Sequence, residues 1–320
     1  MSRITTDDLI SQVRSLLAEE NKESITDADD ILPALNRALD FGVDVLVRQY
    51  PDPLLYHTEV TLVAGQQEYD IPEDALEQRL EKIEVRINGL FYPVQKIDYK
   101  DISQFETAAS KAIPLYWCMV GSKYRLFPNV LNIYPIRIWY MKEPMQLVKS
   151  QGRINTAPTS NYFYVDSVGD DLTTESDQLN SYVNIIDGGS GAYKCTLQIQ
   201  NIQGNKITFK STPIRDSVLD LDVSTSIPAT VAPDDFICTV YGTCMPFMKK
   251  PFSNFLVQYA VAELRRKFGD ADSGLEEQVL KKFEAQIESQ WSGRSNAFRI
   301  QGRSNNWPMP NTRRLVITQG

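Results

Sequence analysis

Lys82-Ile83-Glu84-Val85-Arg86-Ile87-Asn88-Gly89-Leu90-Phe91-Tyr92-Pro93-Val94-Gln95-Lys96-Ile97 reads as two strands joined by a two-residue connection. Asn-Gly accepts the positive φ angles that a type I′ turn imposes at both central positions, so a β-hairpin is predicted here. Outward from it, period-two alternation predicts strands over 115–120, 123–127 and 132–141, with Gly121-Ser122 turning the first into the second. Upstream, Val60 and Leu62 alternate with Thr58 and Thr61. The turn residues Ala64-Gly65-Gln66 follow, and Tyr69-Asp70-Ile71-Pro72 is expected to close a further hairpin on that strand. Together these segments predict one compact β unit over residues 54–149.

Helical spacing takes over at both ends. Thr5-Thr6-Asp7-Asp8-Leu9 supplies a hydroxyl cap and two first-turn acids, and Leu9, Ile10, Val13, Leu16 and Leu17 repeat at helical intervals. A second start, Thr26-Asp27-Ala28-Asp29-Asp30, leads into the stripe Ile31, Leu35, Leu39 and Leu46, stopped by Pro51 and Pro53. Near the other end, Phe252, Phe255, Leu256, Tyr259, Ala260, Ala262 and Leu264 form one helix. After a break at Gly269, Leu275, Val279, Phe283 and Ile287 form another. Residues 150–245 are rich in Ser, Thr, Asp, Asn and Gly, with short strands expected at 182–186, 193–199, 206–210 and 236–241. The fold class expected is therefore α+β: terminal helices (1–53 plus 246–293) forming a helical bundle, a central antiparallel β unit, and an additional inserted β module over 150–245.

With 320 residues and 42% apolar content the chain can bury a sizeable core. It has no run of about 18 apolar residues that would span a membrane and no signal-peptide core after Met1, so a cytoplasm-like compartment is expected. Cys118, Cys195, Cys238 and Cys244 stand far apart with no C-x-x-C pair, and are expected to be buried free thiols. The net charge is −8, but residues 294–320 hold five arginines and no acid. Residues 1–293 thus carry −13, which the tail brings back to −8. An acidic body argues against a broad nucleic-acid-binding face.

The residues that chemistry would need are sparse. The single histidine, His57, is read as a loop or cap residue, and no nucleophile-elbow, dinucleotide, Walker A or zincin pattern occurs. Asp187-Gly188-Gly189-Ser190-Gly191 reads as a hairpin turn. Asp27, Asp29 and Asp30 are accounted for as helix-start acids. Asp220 with Asp222, and Asp234 with Asp235, are carboxylate pairs of a kind that a glycosidase uses, although scattered surface acids are the commoner case. The aromatic run Tyr116, Trp117, Tyr124, Phe127, Tyr134, Trp139 and Tyr140 is read as sheet core and not as a stacking platform. Neither an enzymatic activity, a cofactor nor a metal site is expected.

Residues 294–320 are read as an extended, partner-docking tail: prolines at 308 and 310 forbid regular pairing, yet apolar anchors recur among the arginines. Its contact residues are expected to be Arg294, Phe298, Arg299, Arg303, Trp307, Arg313, Arg314, Leu315, Val316 and Ile317. This layout resembles the head-to-tail adaptor proteins of tailed bacteriophages, especially the tail-tubular or gatekeeper adaptors of short-tailed phages. The phrases that carry the resemblance are Ala38-Leu39-Asp40-Phe41, the 64–72 turn, the 82–89 hairpin, Pro114-Leu115-Tyr116-Trp117, Leu126-Phe127-Pro128-Asn129 and Tyr259-Ala260-Val261-Ala262-Glu263-Leu264. It spans about residues 5–145 and 250–320. It implies a virion protein assembled in the host cytoplasm as a homo-dodecameric ring beneath the portal protein. Such a ring prolongs the channel through which genomic DNA passes without sequence-specific binding, and offers a platform for tail nozzle or fibre proteins. Two other readings stay open: another neck or baseplate component, and a carbohydrate-binding or carbohydrate-processing protein that uses the 150–245 module.

Overall fold

The computed structural model describes residues 4–17, 25–49, 51–106, 113–175, 179–212, 223–240, 242–246, 252–268, 274–275 and 277–286. Helix α1 (Thr6–Leu16) opens with the expected hydroxyl cap. The Thr5 side chain accepts from the Asp8 amide (3.2 Å) while the Asp8 carboxylate accepts from the Thr5 amide (2.9 Å). Leu9, Ile10 and Val13 are buried, whereas Leu16 is half exposed at the end of the stripe. The second start is not α-helical from Thr26: Asp27–Ile31 forms one wide π turn, capped by Thr26, before α2 (Leu32–Gln49) begins. Ile31, Leu35, Leu39 and Leu46 of the predicted stripe are all buried.

After a single 3₁₀ turn, strands β1 (Leu55–Thr61), β2 (Glu68–Asp70), β3 (Ala75–Ile87) and β4 (Leu90–Lys96) follow. The short helix α3 (Ile102–Glu106) and strands β5 (Tyr116–Val120), β6 (Lys123–Phe127) and β7 (Pro135–Lys142) complete this unit. The β3–β4 connection is the predicted one, with Asn88 at φ 49° and Gly89 at φ 83°. The hairpin expected from 58 to 72 does not form: β1 pairs with β7 and β2 pairs with β6. In the order β1-β7-β3-β4-β5-β6-β2 these two strands stand at opposite ends.

That pairing determines the shape of the sheet. Laid flat, six inter-strand steps of about 4.8 Å would part the end strands by about 29 Å, yet the chain from residue 61 to 68 reaches at most about 25 Å. The sheet therefore curls until its ends face one another, and β3 bends to allow it through register shifts between Ala75 and Lys82. The connector is held to the opposite rim by Leu62 N–H donating to Tyr134 O (2.8 Å) and Gly65 N–H to Val130 O (2.9 Å). Inside lie Leu62, Tyr69, Ile83, Trp117, Tyr124, Leu126, Ile136 and Tyr140. All pairings are antiparallel apart from the two-residue β4–β5 contact.

A second sheet follows. Strand β8 (Gln146–Leu147) leads to β9 (Gly152–Arg153), β10 (Tyr162–Tyr164), β11 (Tyr182–Ile186), β12 (Tyr193–Gln203), β13 (Lys206–Phe209), β14 (Phe236–Thr239) and β15 (Gly242–Thr243). Six of these strands form an antiparallel sheet ordered β10-β13-β12-β11-β14-β9, over its own core of Phe163, Val183, Ile185, Leu197, Ile199, Ile207 and Ile237. Strands β8 and β15 pair in parallel at its base. Helix α4 (Phe252–Lys267) and helical residues 277–286 then return to the N-terminal helices and share one apolar core with α1 and α2. Residues 269–273 and 287–320, and with them the Gly269 break and every expected tail contact, lie outside the described residues. So do Asp220 and Asp222.

The return of α4 depends on Gly42. A Cβ at that position would lie 2.6 Å from Phe252 Cε2 and 2.9 Å from Phe255 Cε1. Those rings cannot retreat, because Phe255 stacks on Phe283 at 4.1 Å and Phe252 meets it at 5.7 Å. Gly42→Ala is expected to destabilise the protein by about 1–3 kcal/mol through overpacking, despite alanine's better helix propensity of about 1 kcal/mol. A lowered urea midpoint with an unchanged m-value checks this; a raised midpoint would contradict the packing argument.

Candidate docking site

Asp27, Asp29 and Asp30 do more than start a helix. Asp27 accepts from Arg14 Nε of α1 (2.7 Å) and from Lys149 Nζ at the entry to the second sheet (2.8 Å). Asp30 accepts from Lys267 Nζ at the end of α4 (2.6 Å) and from the Thr26 amide (2.8 Å). Asp29 stays local, its amide donating to the Thr26 hydroxyl (3.1 Å). The wide turn thus presents two carboxylates in different directions, tying α1, α4 and the second sheet to one five-residue segment. Lys267 and the Thr26 amide hold Asp30 below the usual carboxylate range. Burial alone would raise Asp27, but Lys149 and Arg14 outweigh it and hold it low.

The other acids singled out in the sequence are likewise engaged. Asp187 is the hairpin-turn residue expected, accepting from the amides of Gly189 (3.0 Å) and Ser190. Lys194 lies between Asp187 (2.8 Å) and Asp235 (2.7 Å), while Asp234 pairs with Arg153 (2.7 Å). Burial opposes the charge on Lys194, but the two carboxylates win and raise its pKa. Asp234 and Asp235 therefore close a turn onto β12 and β9 and do not face each other across a cleft. His57 is not a loop residue: it sits in β1 opposite Trp139, ring centroids 4.7 Å apart, on the outer face of the sheet. Trp117, Tyr124, Phe127 and Tyr140 are buried as a sheet core requires, whereas Trp139 lies on the outer face and donates Nε1–H to Glu84 (2.8 Å). All four cysteines are buried free thiols, and burial pushes Cys195 up to about 12.

What the sequence did not single out is a cleft where the two sheets meet. Its walls are Pro53, Leu55 and Tyr56 from the start of β1, Pro144 and Met145 after β7, and Tyr193 at the start of β12, enclosing about 290 Å³. Leu55 also lines a neighbouring hollow of about 480 Å³ bounded by Pro51, Trp139 and Met141. Leu55 (41%), Tyr56 (50%) and Tyr193 (41%) are open to solvent there. Four segments, from Pro53 to Met245, contribute, so no local motif announces the site. The nearest sequence signal is the Pro51/Pro53 stop placed just before two large apolar residues. What this surface offers is shape and apolar area, since the lysines beside it are already paired: Lys82 with Glu84 (2.5 Å) and Lys142 with Asp74 (2.9 Å).

Helix α1, the acidic turn, α2 and the whole curled sheet fall within residues 4–168, just over half of the chain, which match the family described as SU10 adaptor protein. The chain belongs to the SU10 adaptor protein family. No curated protein matches it. As an SU10 adaptor it is a phage structural protein and a virion component, whose work lies in contacts with other head and tail proteins. The match does not stop at residue 145, where the sequence resemblance was expected to break, but continues through β10 into the second sheet. Among the described residues of this SU10 adaptor, no helix is long and apolar enough to cross a membrane.

The acidic turn generates a test. Asp30→Asn keeps the shape but removes the charge facing the half-exposed Lys267, and is expected to lower stability at pH 7 by about 0.5–1 kcal/mol. Because the folded-state pKa of Asp30 is depressed, its contribution is fully present above the ordinary value of about 3.9 and disappears as pH falls through the folded value. Thermal unfolding followed from pH 7 to pH 3 should therefore show wild type and variant converging on the acid side; a constant gap would refute the assignment.

Proposed function

We propose that this SU10 adaptor forms a ring that joins the phage portal to the tail, extends the DNA channel and presents a platform for nozzle or fibre proteins. The observation that carries this reading is the family match over α1, α2 and the curled sheet. The charge distribution supports it: a body of net charge −13 can surround DNA without a net basic surface to hold it, while residues 294–320 carry five arginines and no acid. A dodecameric, gatekeeper-type ring assembled in the host cytoplasm is the finer form of the proposal. In it, residues 1–53 with 246–293 act as the helical body, 54–149 as the central β domain, and 150–245 as an outward-facing module for a fibre or neighbouring tail protein.

In this reading the tail is the portal anchor. Ordering it on docking costs about 2–5 kcal/mol, which burial of Trp307 and the 315–317 group must offset. The arginines confer charge complementarity that salt screens. Native mass spectrometry of the full chain with the portal ring of the same virus is expected to show portal-dependent loading. That loading should fall more on replacing Trp307, or residues 315–317, by alanine than on Arg313→Ala or Arg314→Ala. Loss with the arginine variants alone would overturn the hydrophobic-anchor mechanism, and the absence of any portal complex would overturn the portal-adaptor reading.

A further inference from the structure

The open cleft between the two sheets has an occupant written into the same chain. We propose that it is a binding site for an extended proline- and aromatic-containing peptide, and that in the free protein this peptide is the chain's own Trp307-Pro308-Met309-Pro310 segment. The inference does not depend on what the tail meets in the particle; under the portal reading above, the portal competes for the same segment.

Three observations converge. The first is chemical fit. The cleft is walled by Leu55, Tyr56, Met145 and Tyr193 between two prolines, and opens beside Trp139. Grooves lined by aromatic rings take proline-rich chains because such chains are already extended and lose little entropy on docking. Trp-Pro-Met-Pro offers one large ring and one adaptable thioether to fill a space of this size.

The second is charge. The cleft's lysines are neutralised by Glu84 and Asp74, but Asp52 on its rim and Glu143 in its wall have no ion-pair partner among the described residues. Beyond Glu143 the acidic surface continues to Asp40 and Asp44. There the Asp40 carboxyl is raised by burial first, then by the two neighbouring acids. The segment Trp307–Pro310 is flanked by Arg303 and by Arg313 and Arg314, with no acid among residues 294–320. An acidic rim around an apolar floor is thus complementary to an apolar segment between basic residues.

The third is reach. The last described helical residue is 286, in the stretch whose Phe283 packs on α2 and α4, leaving 21 residues to Trp307. Extended, that length spans up to about 70 Å, more than a compact 320-residue chain with a radius of gyration of about 20 Å requires. That length is enough to reach the cleft without a second copy, and the effective concentration of a tethered segment is on the order of millimolar.

Hydroxyl-radical footprinting of the full-length protein, without portal, tests this. Tyr56, Met145 and Tyr193 are expected to be oxidised about tenfold more slowly in wild type than in full-length Trp307→Ala, because protection reports the ratio of covered to open molecules. The Leu315→Ala variant, altered outside the segment, should keep the wild-type pattern. Reciprocally, Tyr193→Asp in the cleft should speed oxidation of Trp307 itself. Trp307 and Leu315 lie in the tail and Tyr193 is exposed at a strand start, so unchanged melting temperatures are expected and will separate lost docking from lost folding. Equal oxidation of the cleft in wild type and Trp307→Ala overturns the proposal. Protection that rises with protein concentration overturns the intrachain assignment by giving the cleft to another copy's tail. Portal loading measured separately on the same variants keeps a failure here distinct from a failure of the adaptor reading.

Discussion

The close approach of α4 to α2 at Gly42 is the contact on which the rest of the molecule depends. It brings residues 252–286 back against residues 6–49, although two β-sheets intervene in the chain. Because the glycine leaves no Cβ, Phe252 and Phe255 lie directly on the α2 backbone with Phe283 stacked behind them. The apolar surface buried there comes from both ends of the sequence, so neither helix pair can complete this core alone. The β units between are thereby held by their two ends, and the base of the second sheet is fastened where the ends meet. Asn36 and Leu147 exchange amide hydrogen bonds of 3.1 and 2.7 Å, and the Thr6 amide donates to Cys244 O at 2.7 Å.

Charges add direction to this apolar closure. Asp27 and Asp30 occupy a turn wider than an α-helix, which lets one carboxylate face α1 and Lys149 while the other faces Lys267. Their partners are half-exposed cations, so each contact adds modestly to stability. What they specify is which faces of α1, α4 and the second sheet meet. The Lys194 pairs with Asp187 and Asp235 do the same inside the module, joining two loops more than 40 residues apart. The adjacent acids Asp234 and Asp235 are thus spent on geometry, which suits a protein whose work is contact with other virion proteins.

Much of the fold was legible because its signals are local. The Asn88-Gly89 turn, the Thr5 cap, the buried stripe of α2 and the module strand at 182–186 all rest on a few neighbouring residues. The placing of β1 and β2 was not legible. Alternation at Val60 and Leu62 and a glycine turn at residue 65 look the same whether the flanking strands pair with each other or with partners more than 50 residues away. His57 was misplaced for the same reason, since the strand that holds it is defined by β7. The cleft beside Tyr56 was invisible in the sequence because its walls come from four distant segments.

By itself the sequence determined the period of each segment, hence helix or strand, the turn chemistry, and the separation of an acidic body from a basic tail. These depend on φ/ψ preferences, side-chain periodicity and charge, all properties of residues within one turn or one strand of each other. The tertiary structure alone decided that the first sheet curls with β1 and β2 at its two ends, that the acids of residues 27–30 join three elements, and that an open apolar cleft lies between the sheets. Periodicity states which face of a strand is buried but not which strand lies beside it. That choice is made only when the whole apolar surface is covered at once and every connection is short enough to reach.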